Sequence, residues 1–137
     1  MTRKFAFLGL LLLIGGFPAQ SQTLTVEITS PVDGSSVGER PYVEGSVSSR
    51  QAAVWVVVRP MESSDYWVQP RVTVRSDGGW KVKIYVGRPG AVDVGKDFEV
   101  RAVANPRRKL TEGQVLDDWP ASEAISNVVE VVRKESG

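Results

Sequence analysis

The stretch 72-VTVRSDGGWKVKI-84 decides the fold, because it contains two strand-like patterns joined by a glycine turn. Its apolar residues alternate with polar ones on both sides of the turn: Val72 and Val74, then Trp80, Val82 and Ile84. This period of two predicts a β-hairpin with one face in a core. Because opposite residues share a face, we expect Val74 to pair with Val82 across a three-residue loop, 77–79.

The same kind of pattern recurs along the chain. Seven segments alternate with period two or are rich in β-branched residues, and turn residues separate most of them: 23–29, 42–47, 53–60, 71–76, 79–86, 97–104 and 125–134. No stretch has helical periodicity, so the predicted class is all-β. Seven short strands over this length predict a seven-stranded antiparallel sandwich of two sheets.

Residues 1–21 have the layout of a secretory signal peptide. Arg3 and Lys4 precede an apolar run, 5–14, and small residues follow at Ala19 and Ser21. The run is shorter than the roughly 20 residues that span a bilayer. We therefore expect cleavage before residue 22, export to the periplasm, cell surface or medium, and no stable membrane insertion afterwards. A retained short anchor is the alternative. Residues 22–137 then form one domain.

Composition argues against several functional classes. The chain has no cysteine and no histidine, so the usual general base, the thiol nucleophile and the common soft metal ligands are missing. The local carboxylate pairs, Asp93 with Asp97 and Asp117 with Asp118, lack the further oxygens of a recognisable calcium loop. We predict no enzymatic activity, no cofactor and no resident metal. A net charge of +1 gives no reason to expect a nucleic acid partner.

A tyrosine and a tryptophan lie side by side in the connection after Pro60. This connection crosses between the sheets or adds a short edge strand, and alternation puts one aromatic inward and its neighbour outward. A second connection, 105–123, is unusually long for a structureless loop. Together the two connections supply a candidate binding platform, whose alternative is that the side chains are simply packed: Tyr66, Trp67, Gln69 and Trp119.

The outward face of the hairpin is basic. The predicted register sets Arg75 opposite Lys81 and places four cations on this face: Arg71, Arg75, Lys81 and Lys83. They form a candidate surface for an anionic polymer. The alternative is a solvated face whose charge is balanced by Glu44 on the neighbouring strand, since exposed charges on sheets commonly prevent edge pairing.

The segment 53–60 is apolar on both faces, which is unusual for a strand with one face in water. Trp55 and Val57 lie on one face and Val54, Val56 and Val58 on the other, so whichever face lies outside the core needs a cover. The long connection can supply one through Leu110, Val115, Leu116 and Trp119. The alternative is a second protein chain, because exposed apolar patches mark interfaces.

Several motifs together resemble a bacterial immunoglobulin-like domain of secreted and surface proteins: ITSPVDGSSVG (28–38), VEGSV (43–47), VWVVVRP (54–60), YWVQP (66–70), SDGGWKVKIYVG (76–87) and GKDFEVRAVA (95–104). In this resemblance Trp55 matches the core tryptophan of the third strand, and the family's cysteine pair is absent. Such domains commonly serve as spacers, adhesion modules or accessory domains.

The functional expectation is a non-catalytic exported module. It recognises a protein or a cell-envelope glycan through one end of the sandwich, built from 62–70 and 105–123. The alternative is a structural or assembly subunit that pairs through an apolar sheet face or an exposed edge strand.

Overall fold

The structure, a computed structural model, describes residues 23–135. This part of the chain contains ten strands. No helix in this part is long and apolar enough to cross a membrane. The predicted signal peptide, 1–21, lies outside the described residues. The strands are β1 (Val26–Ser30), β2 (Ser35–Val37), β3 (Tyr42–Val47), β4 (Val54–Pro60), β5 (Tyr66–Val68), β6 (Thr73–Val74), β7 (Gly79–Lys83), β8 (Asp97–Pro106), β9 (Val115–Leu116) and β10 (Ser122–Arg133).

The strands form two sheets, which confirms the all-β class. The six-stranded sheet has the order β9-β5-β4-β8-β10-β2, and the four-stranded sheet has the order β1-β3-β7-β6. Each of the seven predicted segments contains a strand, and three short strands, β2, β5 and β9, are additional. Strand β2 runs parallel to β10. The prediction of seven strands is therefore wrong for the described residues, and so is the prediction that all strands pair antiparallel.

The core lies between the two sheets and contains residues of both. Side chains of Val43 on β3, Val56 on β4 and Val100 on β8 are almost fully buried there. The tryptophan at its centre is Trp80, not Trp55. Trp55 is half-buried on the opposite face of β4, so the position implied by the resemblance is wrong.

The hairpin has the predicted faces but a different register. Thr73 pairs with Lys81 and Val74 with Trp80, so the three-residue loop is 76–78 and not 77–79. Gly78 has φ +86°, and the Gly79 N–H donates to Asp77 Oδ1 at 2.8 Å. Of the two glycines in this turn, Gly78 therefore takes the left-handed conformation. The predicted pairing of Arg75 with Lys81 is wrong.

The predicted neighbour of the hairpin is confirmed. Strand β3 pairs with β7 and sets Glu44 opposite Lys81, so opposite charges face each other. Strand β1 follows on the other side of β3, and Glu27 lies one strand further from the lysines.

The second face of β4 is covered by the connection between β8 and β10. Val57 and Val103 are fully buried in a small outer cluster with Leu110, and the partly buried residues packed against it include Leu116 and Trp119. Val115 points to the other side and is exposed. The prediction of a folded-back loop is thus confirmed for three of its four apolar residues.

Candidate binding cleft

The two sheets differ in width, and this leaves part of the larger sheet uncovered. Of the described residues, none from β5 or β9 belongs to the core between the sheets. Trp67 on β5 pairs with Val58 on one side and Val115 on the other, so all three share the inner face. Val58 is buried, whereas Trp67 is 42% and Val115 45% exposed. The inner face of β5 and β9 therefore opens to solvent.

A cleft of about 460 Å³ lies where the larger sheet overhangs the smaller one. We call it the overhang cleft. Its apolar lining comes from the large sheet, the chain crossing to the small sheet and the segment after β7, and its charged residues lie around these: Val58, Pro60, Trp67, Val68, Pro70, Tyr85 and Phe98, with Glu62, Asp65, Arg88, Asp93 and Glu112.

Two exposed aromatic side chains, Trp67 and Tyr85, line the cleft. The buried side chain of Gln69 links their backbones: its Nε2 donates to the Trp67 carbonyl at 3.1 Å, and its Oε1 accepts from the Tyr85 N–H at 2.8 Å. Gln69 is only 4% exposed, and both polar atoms of its amide are bonded to the backbone. It lines the cleft and positions the backbones of both aromatic residues.

The segment that follows Tyr85 is held by Asp93. Its carboxylate accepts hydrogen bonds from the Arg88 backbone N–H at 2.7 Å and from the Arg88 guanidinium at 3.0 and 3.1 Å. The Lys96 ammonium lies 3.1 Å away. The hydrogen bonds from Arg88 and Lys96 hold the pKa of Asp93 well below its usual range, despite burial. The carboxylate is therefore charged and internally paired at neutral pH.

Arg133 forms hydrogen bonds with the backbone of the same segment, 86–90. Its guanidinium is almost fully buried and donates from Nη1 to the carbonyls of Val86 and Arg88, each at 2.8 Å, and from Nη2 to the carbonyl of Gly90 at 2.6 Å. Sequence reasoning missed this residue. The signal that could have found it is the alternation Val129, Val131, Arg133, which puts the arginine on the inward face of its strand.

The charges around the cleft are mainly negative. Glu62 lies 2.9 Å from the Lys96 ammonium, and Asp93 is paired as described above. Asp65 and Glu112 are exposed, and neither forms an ion pair with any residue in the described part of the chain. They leave two unpaired carboxylates in the cleft lining, whereas the guanidinium carbon of Arg40 lies 3.7 Å from the centroid of the Tyr85 ring.

The predicted platform is split between two sides of the large sheet. Tyr66 and Trp119 pack on the outer side, with ring centroids 4.8 Å apart in an edge-to-face arrangement. The guanidinium carbon of Arg101 lies 5.2 Å from the Trp119 ring centroid. Trp67 and Gln69 lie on the inner side. Only Trp67 of the four predicted residues is exposed, and the cleft adds Tyr85, which the sequence analysis did not include.

The basic residues of the hairpin do not form one cluster. Lys81 and Lys83 both place their ammonium groups near the Tyr42 ring, at 4.4 and 5.7 Å from its centroid. Arg75 lies beside Asp77 in the hairpin loop, at 3.5 Å. Arg71 is exposed before β6. Lys81 also faces Glu44, so its charge has a neighbouring partner.

Within residues 23–135, no group of three or more acidic side chains is placed to hold a metal ion. The buried polar groups of the cleft are bonded to the protein itself, so the cleft offers apolar surface, aromatic faces and negative charge. Comparison with protein-family models and with curated proteins gives no match for the sequence. The fold itself therefore defines the class: an all-β protein in which two sheets share one core.

Proposed function

We propose that the chain is an exported, non-catalytic binding module of the immunoglobulin-like kind that holds a segment of another protein in the overhang cleft. The observation that carries the proposal is the exposure of Trp67 in a cleft that is also lined by Tyr85 and by buried valine and phenylalanine side chains. A tryptophan on the inner face of a sheet is ordinarily covered by the opposite sheet. In this proposal the bound segment of the partner covers Trp67 instead.

The dimensions and rigidity of the cleft support this proposal. Its volume falls in the range of about 300 to 1,000 Å³ that ligand sites occupy. Gln69 fixes the backbones of both aromatic residues, and Arg133 fixes the segment 86–90. Because these groups are already ordered, little conformational entropy is lost when a ligand binds. Aromatic side chains add a large contact area at small entropic cost.

The polar chemistry of the cleft favours a protein segment over a glycan. Sugar hydroxyls need free planar polar side chains next to the aromatic face, and the two that lie deepest here, Gln69 and Asp93, are already bonded within the protein. Apolar surface with two free carboxylates suits the side chains of a peptide better. Envelope glycan recognition is the competing outcome of the test.

The assembly alternative receives less support. The apolar outer face of β4 packs against Leu110 and Trp119, so it is not free for a second chain. Three of the four edge strands, β2, β6 and β9, are two or three residues long, and in the fourth, β1, the Ile28 backbone is hydrogen-bonded to the Asn127 side chain. The absence of histidine and cysteine supports a module without catalysis.

A capture experiment tests the proposal. Immobilised protein, incubated with the cell-envelope fraction and culture medium of the producing cell, is expected to retain a partner that the Trp67→Ala variant does not retain. Tyr42→Ala is the matched control, because Tyr42 is also exposed but lies on the outward face of the small sheet. Equal retention by the wild type and Trp67→Ala would exclude the cleft.

Treating the captured material separates the two kinds of ligand. Protease digestion is expected to abolish retention, whereas periodate oxidation of sugars is expected to leave it unchanged. The reverse result would replace the protein segment with a glycan. Circular dichroism of each variant establishes that the sheets are intact.

A further inference from the structure

We propose that the segment held in the overhang cleft carries a lysine or arginine side chain, whose stem lies against Trp67 and whose charged head lies between Asp65 and Glu112. This inference rests on the proposed function and specifies the chemistry of its ligand.

The first support is the charge of the lining. Four carboxylates and one guanidinium line the cleft. Asp93 is paired with Arg88 and Lys96, and Lys96 also neutralises Glu62. The charge of the cleft lining that remains unpaired is therefore that of Asp65 and Glu112, and it is negative. A cationic partner gains from this field, and an acidic one is repelled.

The second support is the placement of the two carboxylates relative to Trp67. Asp65 lies directly before β5, two residues before Trp67, and both residues line the cleft. Glu112 belongs to the turn that is bonded to the other end of the strand, where the Gly113 N–H donates to the Val68 carbonyl at 2.9 Å. The carboxylates thus flank the strand that carries the indole.

The third support is the chemistry of long basic side chains. Lysine and arginine place an apolar stem along an aromatic ring and keep the charged head at the edge of the apolar surface. A cation near a tryptophan face is also attracted by the ring itself. Neutral apolar side chains would use Trp67 but would leave both carboxylates without a partner.

The probe for the test is a fluorescein-labelled peptide of alternating glycine and arginine, and its control replaces each arginine with citrulline, which keeps the shape and removes the charge. Fluorescence anisotropy is expected to show binding of the arginine peptide and binding at least about tenfold weaker for the citrulline peptide. The double variant Asp65→Asn, Glu112→Gln is expected to weaken binding of the arginine peptide about fivefold to tenfold.

A matched variant separates local recognition from net charge. Glu27→Gln with Glu130→Gln removes the same charge from two exposed side chains outside the cleft lining, and we expect less than a twofold change. The Trp67→Ala variant is expected to bind neither the arginine peptide nor the citrulline peptide.

The remaining outcomes would overturn the inference. Equal binding of both peptides, or equal weakening by both double variants, would show that no cationic head is recognised between Asp65 and Glu112. Failure of the arginine peptide to bind, together with Trp67-dependent capture from the envelope fraction, would leave the proposed function standing and exclude the cationic ligand. Failure of both would exclude the cleft altogether.

Discussion

Gly45 is the residue on which the packing of Trp80 depends. A Cβ atom built at Gly45 would collide with the carbonyl oxygen of Glu27 and with the ring of Trp80. Since the Glu27 backbone is paired with β3 and the Trp80 ring is fully buried in the core, neither can move without loss of pairing or packing. We expect Gly45→Ala to lower the free energy of unfolding by about 2 to 3 kcal/mol, measured by urea denaturation.

The control for this prediction is Gly90→Ala. Gly90 has φ +88° and open space around its Cβ position, so only backbone strain opposes the alanine. That strain costs about 1 kcal/mol. A Gly45 variant no less stable than the Gly90 variant would contradict the packing reason.

Asp93 is expected to make the free energy of unfolding depend on pH in the acid range. Its pKa in the folded protein lies well below the value of about 4 that an unfolded aspartate has, because Arg88 donates hydrogen bonds to the carboxylate. The ionised group therefore stabilises the fold above about pH 4, and this stabilisation is lost as the pH falls toward the folded pKa. We expect the Asp93→Asn variant to be less stable at pH 7 by about 1 to 3 kcal/mol and to show a flatter acid dependence.

Urea unfolding at several pH values, from about pH 7 to about pH 2, checks this prediction. The control is Asp77→Asn. The Gly79 N–H and Arg75 also lower the pKa of Asp77, but this carboxylate is exposed and solvent screens its interactions. Parallel pH curves for the wild type and Asp93→Asn would exclude Asp93 as the source of the acid dependence.

At the residue scale, alternation in the sequence determined which side chains point the same way but not which of them are covered. It placed Trp67 and Gln69 on one side of β5 and Tyr66 on the other, and the structure agrees. Whether that side is core, cleft or solvent depends on the width of the opposite sheet. The burial of Gln69 and the exposure of Trp67 therefore could not be predicted from their own segment.

At the element scale, the hairpin shows the limit of a face-based prediction. Pairing Val74 with Val82 or with Trp80 keeps every apolar residue on the same face, because the two registers differ by a whole period of two. The choice between them belongs to the turn, where Asp77 accepts a hydrogen bond from the Gly79 N–H and Gly78 takes the left-handed conformation. Local bonding therefore sets a register that the hydrophobic pattern leaves open.

The connection 105–123 could be predicted as a cover because the segment 53–60 is apolar on both faces. Deleting residues 109–119 would expose Val57 and Val103, which are fully buried beneath it. We expect the deleted protein to self-associate, since an apolar patch on a sheet face is a site of association. Light scattering over a range of concentrations measures this.

The control for the deletion keeps the connection and replaces only its exposed residues, as in Arg107→Gln with Arg108→Gln. This variant is expected to remain as soluble as the wild type. A soluble deletion variant with an unchanged melting temperature would show that the connection is not needed as a cover.

At the scale of the whole molecule, the proposed function depends on the difference in width between the six-stranded sheet and the four-stranded sheet. Alternation in the sequence predicted two sheets, and the strand order implied by the resemblance to immunoglobulin-like domains predicted the neighbour of the hairpin. The sequence did not predict the width of the large sheet, because it left open whether the connection after Pro60 adds an edge strand, and β9 is only two residues long. The cleft is a consequence of topology, and no single segment encodes it.

The solvent-exposed inner face of β5 and β9 also leads to a prediction about the oligomeric state of the protein. If the cleft serves a foreign segment, the purified protein is expected to be a monomer at all concentrations, because Asp65 and Glu112 of one copy would face the same acidic rim on a second copy across a symmetric contact. Light scattering of the wild type and of Trp67→Ala is expected to give the same molar mass. A concentration-dependent dimer that Trp67→Ala converts to a monomer would show instead that the overhang is covered by a second copy, and the ligand proposal would then fail.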